Sequence, residues 1–265
     1  MTATFPDTPT AQGRLPAGAP FATAQAAAGR QAADDAGAQR QAVAWMHSAR
    51  FLTTASRLSE LPEPDLPEIA FVGRSNAGKS TAINTLAQQR RLAFASRTPG
   101  RTQHINLFDV GPKLTPDARL ADLPGYGYAA VDRTAKLRWQ AVMADYLRQR
   151  EALTGVVLMI DSRHGFTALD RRLLEWIEPR VASGETRLLT LLTKADKLNR
   201  RDADRALADA GVVLGEMATE ASDIGLTLFS ALSRQGVADA AQALHGWIHA
   251  GIQEPTATTA DGSAA

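Results

Sequence analysis

Residues 73 to 80 read Gly-Arg-Ser-Asn-Ala-Gly-Lys-Ser, a complete G-x-x-x-x-G-K-[ST] loop. It lies between the apolar run Ile69-Ala70-Phe71-Val72 and the helix-forming stretch Thr81-Ala82-Ile83-Asn84-Thr85-Leu86. Strand, loop and helix in that order restrict the chain to the phosphate-binding α/β folds. Gly73 and Gly78 allow a tight turn, so that N–H groups from Arg74, Ser75, Asn76, Ala77 and the first helical residues to Thr81 converge on a phosphate, where the helix dipole favours negative charge. Lys79 adds a point charge between β- and γ-phosphates, and Ser80 offers a hydroxyl to Mg²⁺, which takes few protein ligands. The loop specifies a nucleoside triphosphate but not its base.

Downstream, the apolar segment Leu120-Ala121 ends in Asp122-Leu123-Pro124-Gly125. A carboxylate at a strand end holds Mg²⁺ through water in P-loop enzymes, which is the role expected of Asp122. The Gly125 N–H is placed to sense the γ-phosphate, so the following segment orders or relaxes with the nucleotide. Next, Leu188-Leu189-Thr190-Leu191-Leu192 reads as a buried strand ending in Thr193-Lys194-Ala195-Asp196. An aspartate there accepts hydrogen bonds from guanine N1–H and the exocyclic amine, donors that adenine lacks, so Asp196 argues for GTP. The other reading of Asp196 is a helix N-cap, since helix-forming residues begin soon after Asn199. The strand candidate Leu226-Thr227-Leu228-Phe229 leads to Ser230-Ala231, where backbone N–H groups can meet guanine O6.

In these segments the chain resembles the EngB family of bacterial GTPases, within the TrmE-Era-EngA-EngB-Septin-like superfamily. The resemblance runs over about residues 45 to 250. It rests on the loop at 73 to 80, Thr98-Pro99-Gly100-Arg101-Thr102-Gln103, Asp122-Leu123-Pro124-Gly125-Tyr126-Gly127-Tyr128 and Thr193-Lys194-Ala195-Asp196-Lys197. It implies a GTP-hydrolysing switch in assembly of the large ribosomal subunit, with a cell-division and septation phenotype. It implies nucleotide contacts from Gly100, Arg101, Thr102, Gln103 and His104, with the Thr102 hydroxyl on Mg²⁺ in the GTP state only. Lys79, Thr102 and Gly125 are the expected catalytic positions. Thr193 stands where most GTPases carry asparagine, and a hydroxyl cannot make every contact of an amide.

Many signalling GTPases follow Asp-x-x-Gly with a glutamine that orients the attacking water. Here that position is Tyr126, so slow intrinsic turnover is expected, rising when a partner or a monovalent cation completes the site. Asn76 holds the position that coordinates K⁺ in several related GTPases, and K⁺ there would neutralise developing charge. A non-hydrolysing nucleotide-gated scaffold and an ATP-using P-loop enzyme stay open as alternatives.

The apolar pattern predicts strands at 69–72, 104–110, 117–122, 155–161, 187–192 and 225–229, and helices at 79–89, 134–150, 168–181, 203–217 and 236–250. That alternation is a doubly wound α/β P-loop fold, mostly parallel, with helices on both faces. The link from Val110 to Asp117 is too short for a helical crossover and predicts an antiparallel hairpin at one sheet edge. Residues 1–40 and 254–265, rich in Ala, Gly, Pro and Thr, are expected to be disordered tails around a G domain at 41–253. No apolar run has membrane-spanning length, the N-terminus lacks a basic segment followed by a leucine-rich core, so export is not expected, and there are no cysteines; a cytoplasmic monomer is expected.

The chain carries 29 Lys and Arg against 28 Asp and Glu, but unevenly. Residues 74–150 have net charge +8 and residues 151–255 have −4. The basic part, with Arg90, Arg91, Arg97, Arg101, Arg133, Lys136, Arg138, Arg148 and Arg150, fits a face that docks on ribosomal RNA of a large-subunit precursor. His245 and His249, four apart on a predicted helix, read as surface or capping residues.

Overall fold

The structure is a computed structural model, and it describes residues 35–93, 104–127 and 133–249, the last segment by backbone alone up to 139. Thr98 to Gln103 therefore lie outside the described residues, and with them the expected contacts of Gly100, Arg101, Thr102 and Gln103.

The chain is helical over residues 35–47 (α1) and then forms β1 (Arg50–Ala55), β2 (Glu68–Gly73), α2 (Lys79–Leu86), β3 (Ile105–Val110) and β4 (Ala118–Asp122). There follow α3 (Arg133–Gln149), β5 (Leu153–Asp161), α4 (Ala168–Ala182), β6 (Arg187–Thr193), α5 (Arg200–Gly215), β7 (Ile224–Leu228) and α6 (Val237–His249). From Gln39 onward these elements make one compact unit. The sheet runs in the order β1-β3-β4-β2-β5-β6-β7, with β2 parallel to β4 and β5, and β6 parallel to β5 and β7.

β2 shows why the sheet sits where it does. All six of its residues are buried, as a strand covered on both faces requires. Ile69 and Phe71 turn to one face, where α1, α2 and α6 contribute Met46, Ile83 and Leu244. Ala70 and Val72 turn to the other, against Tyr146 of α3, Ile177 of α4 and Leu214 of α5. This alternation places helices on both sides. Gly155 at the start of β5 admits the Trp247 ring, since a Cβ there would lie 2.4 Å from it.

Two elements depart from the expectation. β3 and β4 are antiparallel as predicted, but β3 is not the edge: β1 pairs antiparallel outside it. The segment Arg-Phe-Leu-Thr-Thr-Ala lacks clean alternation because the register shifts between Phe51 and Thr53, and Phe51 and Leu52 face solvent. The helix at 35–47 also begins inside the segment expected to be a tail. Its domain part buries Ala42, Trp45 and Met46, a short apolar stripe in a sequence otherwise poor in large side chains.

Buried polar links tie distant segments. Glu68, fully buried, accepts the Tyr146 hydroxyl at 2.6 Å and pairs with Arg150 through both oxygens, at 2.9 and 2.7 Å. Arg150 also donates to the Pro62 carbonyl, so it belongs to the core and not to a basic docking face. His249 fits the capping reading, its Nδ1 lying 2.9 Å from the His245 carbonyl in the last turn of α6, and both histidines are half-buried in a small polar cluster. Their rings stack at 4.0 Å, Trp45 meets both edge-on, and Asp117 receives Trp45 Nε1 at 2.9 Å and His249 Nε2 at 3.1 Å. Among the described residues no cluster of three or more His, Asp or Glu is arranged to hold a metal, and no helix is long and apolar enough to cross a membrane.

Candidate functional site

All the described motifs fall beyond the carboxyl ends of parallel strands, where open α/β sheets bind ligands. β2 ends at Gly73, pressed so close to β5 that a Cβ would lie 2.8 Å from the Met159 Cβ. The chain then turns through Asn76 and Gly78, both with left-handed backbone (φ 68° and 94°), and enters α2 at Lys79. α2 has Gly78 as its N-cap, with no side chain capping it and no acidic residue in its first turn. Its leading N–H groups are thus left to an external anion. That is an observation the bare motif could not supply, and it fits a phosphate. Ser80 is half-buried in the same first turn and Thr81 is exposed.

Lys79 and Asp122 form a buried ion pair across the loop, their side chains 7% and 1% exposed. Asp122 ends β4 beside β2, and Leu123 N–H continues the ladder to Phe71 O at 3.1 Å. The next residues close on the phosphate loop. Pro124 is buried, Gly125 O lies 3.4 Å from Ser75 Oγ, and Ser75 N–H donates to Tyr126 O at 2.8 Å. The Ser80 hydroxyl and the Asp122 carboxylate fit as oxygen ligands for Mg²⁺, directly or through water, with Lys79 beside them to meet a phosphate.

The base-reading side is tied into the same loop. Thr193, 3% exposed, places its hydroxyl 2.6 Å from Ala77 O and 3.1 Å from Ile160 O, so its proton goes to backbone of the phosphate loop. This accounts for a threonine where an amide is usual: it braces two strand ends. Lys194, in left-handed backbone at φ 59°, donates to Asn76 O at 2.8 Å and to Asp161 Oδ2 at 2.7 Å. Ala195 N–H reaches Phe229 O at 3.1 Å, placing the Asp196 loop beside the end of β7. There Ser230, fully buried, donates its hydroxyl to Asp196 Oδ1 at 2.7 Å. That bond, helped by Lys197 against some desolvation, holds the Asp196 carboxyl below the usual carboxylate range. The helix N-cap reading of Asp196 is excluded. Asn199 caps α5, accepting from Asp202 N–H at 2.9 Å, and the helix accordingly starts at Arg200, ahead of the expected 203. Ala231 is half-buried just beyond Ser230, and His104 Nδ1 lies 2.9 Å from Ser56 Oγ on the surface.

Sequence reasoning missed Asp161. Burial pushes its carboxyl upward, but hydrogen bonds from Arg163 and Lys194 outweigh that and hold it well below the usual range. Arg163 grips both its oxygens, at 2.9 and 2.7 Å. The signal was present, since Asp161 closes an apolar strand in the same way as Asp122. A cavity of about 230 Å³ opens beside this pair, lined by Arg74, Asn76, Arg163, Asp170 and Lys194 among others.

A lysine that joins the phosphate loop to the base-reading loop, with carboxylates at neighbouring strand ends, is the construction of a P-loop GTPase. The sequence profile described as "50S ribosome-binding GTPase" matches residues 68–194. The chain is 56% identical over 216 residues to the probable GTP-binding protein EngB of Acidovorax ebreus, an alignment spanning 82% of this chain and 95% of that one. It is 56% identical over 208 residues to the probable GTP-binding protein EngB of Albidiferax ferrireducens, spanning 78% and 97%. A crystal structure of a probable GTP-binding protein EngB superposes with a TM-score of 0.52 at 18% identity, covering 69% of this chain and 99% of that one, and supports the fold. The chain belongs to the EngB family of GTP-binding proteins, and family membership makes it a GTP-hydrolysing enzyme.

Proposed function

We propose that the protein is a GTP-operated switch in assembly of the large ribosomal subunit. The observation that supports the switch is the Lys194 bond to Asn76 O, which ties the phosphate loop to the segment that, two residues on, carries Asp196. In this reading Lys79 would meet the β- and γ-phosphates, and Ser80 and, through water, Asp122 would hold Mg²⁺, which would supply charge neutralisation on the phosphates. The Gly125 N–H would face the γ-phosphate, and by the family resemblance Thr102 would be a further ligand to the metal when GTP is bound. Asp196 accepts from the guanine donors. Ser230 fixes its orientation, and the backbone at Phe229, Ser230 and Ala231 borders the base.

The ribosomal part is supported by the description of the matched family and by charge. Of the basic residues in the positive half of the chain, Arg90, Arg91 and Arg148 are exposed, whereas Arg150 is withdrawn into the core. Sedimentation of the purified full chain with large-subunit particles and their precursors tests it. Co-sedimentation is expected with a non-hydrolysable GTP analogue, weakening as salt is raised, and much less with GDP. Equal sedimentation in both nucleotide states, or none, would overturn the ribosomal role. The protein acts as a cytoplasmic monomer, and any effect on cell division and septation follows from the supply of ribosomes.

Intrinsic turnover is slow because Tyr126 replaces the water-orienting glutamine. Asn76 is exposed at the loop, its carbonyl taken by Lys194 and its side chain available for K⁺. GTP hydrolysis is therefore expected to run about tenfold faster in KCl than in NaCl, within the range a single added charge supplies. Equal rates would remove K⁺ from the mechanism.

A further inference from the structure

Tyr126 follows Gly125 directly, and its side chain is packed into the core. The ring is 8% exposed in the core with Leu173 and Leu174 of α4, and its hydroxyl donates to Asp170 Oδ1 at 2.7 Å. Asp170 is 1% exposed and uses its other oxygen on its own helix. Oδ2 accepts the Thr167 N–H at 2.7 Å and the Thr167 hydroxyl at 2.6 Å, closing the first turn of α4. A helix start needs only one carboxylate oxygen. The second one holds the residue after Gly125.

The backbone of that residue is equally engaged. Tyr126 N–H donates to Gly73 O at 3.3 Å, Ser75 N–H donates to Tyr126 O at 2.8 Å, and a Cβ on Gly125 would lie 3.2 Å from Ser75 Oγ. Burial, and after it the neighbouring Asp170, raise the Tyr126 pKa well above that of a free tyrosine, so the hydroxyl stays a donor. One residue thus joins the phosphate loop, the segment after Asp122 and the start of α4.

We infer that Asp170 is a positioning residue for the nucleotide switch: its hydrogen bond to Tyr126 holds that residue against the phosphate loop and breaks when the Gly125 N–H turns to a γ-phosphate. The inference rests on the reading of the protein as a GTP switch. A ligand moves a two-state equilibrium only by its differential affinity for the states. A bond made in the held state alone therefore weakens GTP relative to GDP by its own strength. Tyr126→Phe leaves Asp170 Oδ1 without that donor, and the held state loses its advantage.

The test is a titration of the full chain with a non-hydrolysable GTP analogue and with GDP in Mg²⁺ buffer, for the unmodified protein, Tyr126→Phe and Thr167→Ala, with a melting curve for each. The ratio of the analogue's Kd to that of GDP is expected to fall about tenfold in Tyr126→Phe, the value of one hydrogen bond to a buried charge. It is expected to stay unchanged in Thr167→Ala, although both variants melt earlier. If Tyr126→Phe does not fold, Asp170→Asn keeps an acceptor without the charge and lowers the ratio by a smaller factor, about threefold. An unchanged ratio in the folded variant, with guanine binding intact, would reduce the contact to packing and overturn the inference. Failure of the unmodified protein to bind either guanine nucleotide would instead overturn the switch reading, and this inference with it.

Discussion

Asp196→Asn lowers the affinity for GTP and GDP by about 10²- to 10³-fold and gives the protein a preference for xanthine nucleotides. The carboxylate offers two acceptors to two guanine donors, and each such bond to a charged group contributes about 1.5–3 kcal/mol. The amide offers one acceptor and one donor, so its NH₂ group meets a guanine donor and both are left unpaired. Xanthine carries a carbonyl where guanine has its exocyclic amine, which restores the match. Ser230 makes this change cleaner than a simple deletion: its hydroxyl, 2.7 Å from Asp196 Oδ1, can serve an amide oxygen equally, so the loop keeps its shape. Because the Asp196 carboxyl is held below its ordinary value, its contribution in the unmodified protein is fully present above about pH 4 and is lost only as pH falls through the lower folded value. Competition of GDP, XDP and ADP against a fluorescent guanine nucleotide measures all of this. An Asp196→Asn variant that binds GDP as the unmodified protein does would break the assignment of the base reader.

The candidate site's arrangement at the strand ends was legible because its residues are sequential. Gly73 to Ser80 form one loop, and Asp122 and Asp196 each close an apolar run, so strand ends alone bring them together. Contacts between residues distant in sequence were not legible. Nothing local to Tyr126 names Asp170, 44 positions on, and nothing near Arg150 shows that Glu68, 82 positions earlier, takes it out of the solvent-facing charge. Charge counting treats every arginine as exposed, and here that assumption fails for one of the residues assigned to the RNA face. β1 escaped for another reason. An edge strand with a register shift need not alternate, and the exposed Phe51 and Leu52 remove the period that would reveal it. Thr193 was legible as a departure but not in its consequence, since only the fold brings it to Ala77 O, 116 positions away.

Lys79→Ala has two separable effects. With nucleotide, it removes the charge that meets the phosphates, and affinity for GTP in Mg²⁺ is expected to fall about 10²-fold, the equivalent of about 3 kcal/mol. Without nucleotide, it strands Asp122, 1% exposed, as a buried carboxylate whose counter-ion is gone. Breaking one partner of a buried pair costs about 3–5 kcal/mol, far more than the pair contributes net, because the loss is dominated by the uncompensated charge. A chain of this size should then melt roughly 6–20 °C earlier. Removing both partners separates the two effects. Lys79→Ala/Asp122→Ala should recover most of the lost melting temperature while nucleotide affinity stays low, since the double variant repairs the electrostatics of the empty loop but restores nothing to the phosphates. Were the double variant no more stable than Lys79→Ala alone, the pair would not be the electrostatic unit its burial implies. Were Lys79→Ala to bind GTP normally, the phosphates would have to lie elsewhere than at the uncapped start of α2.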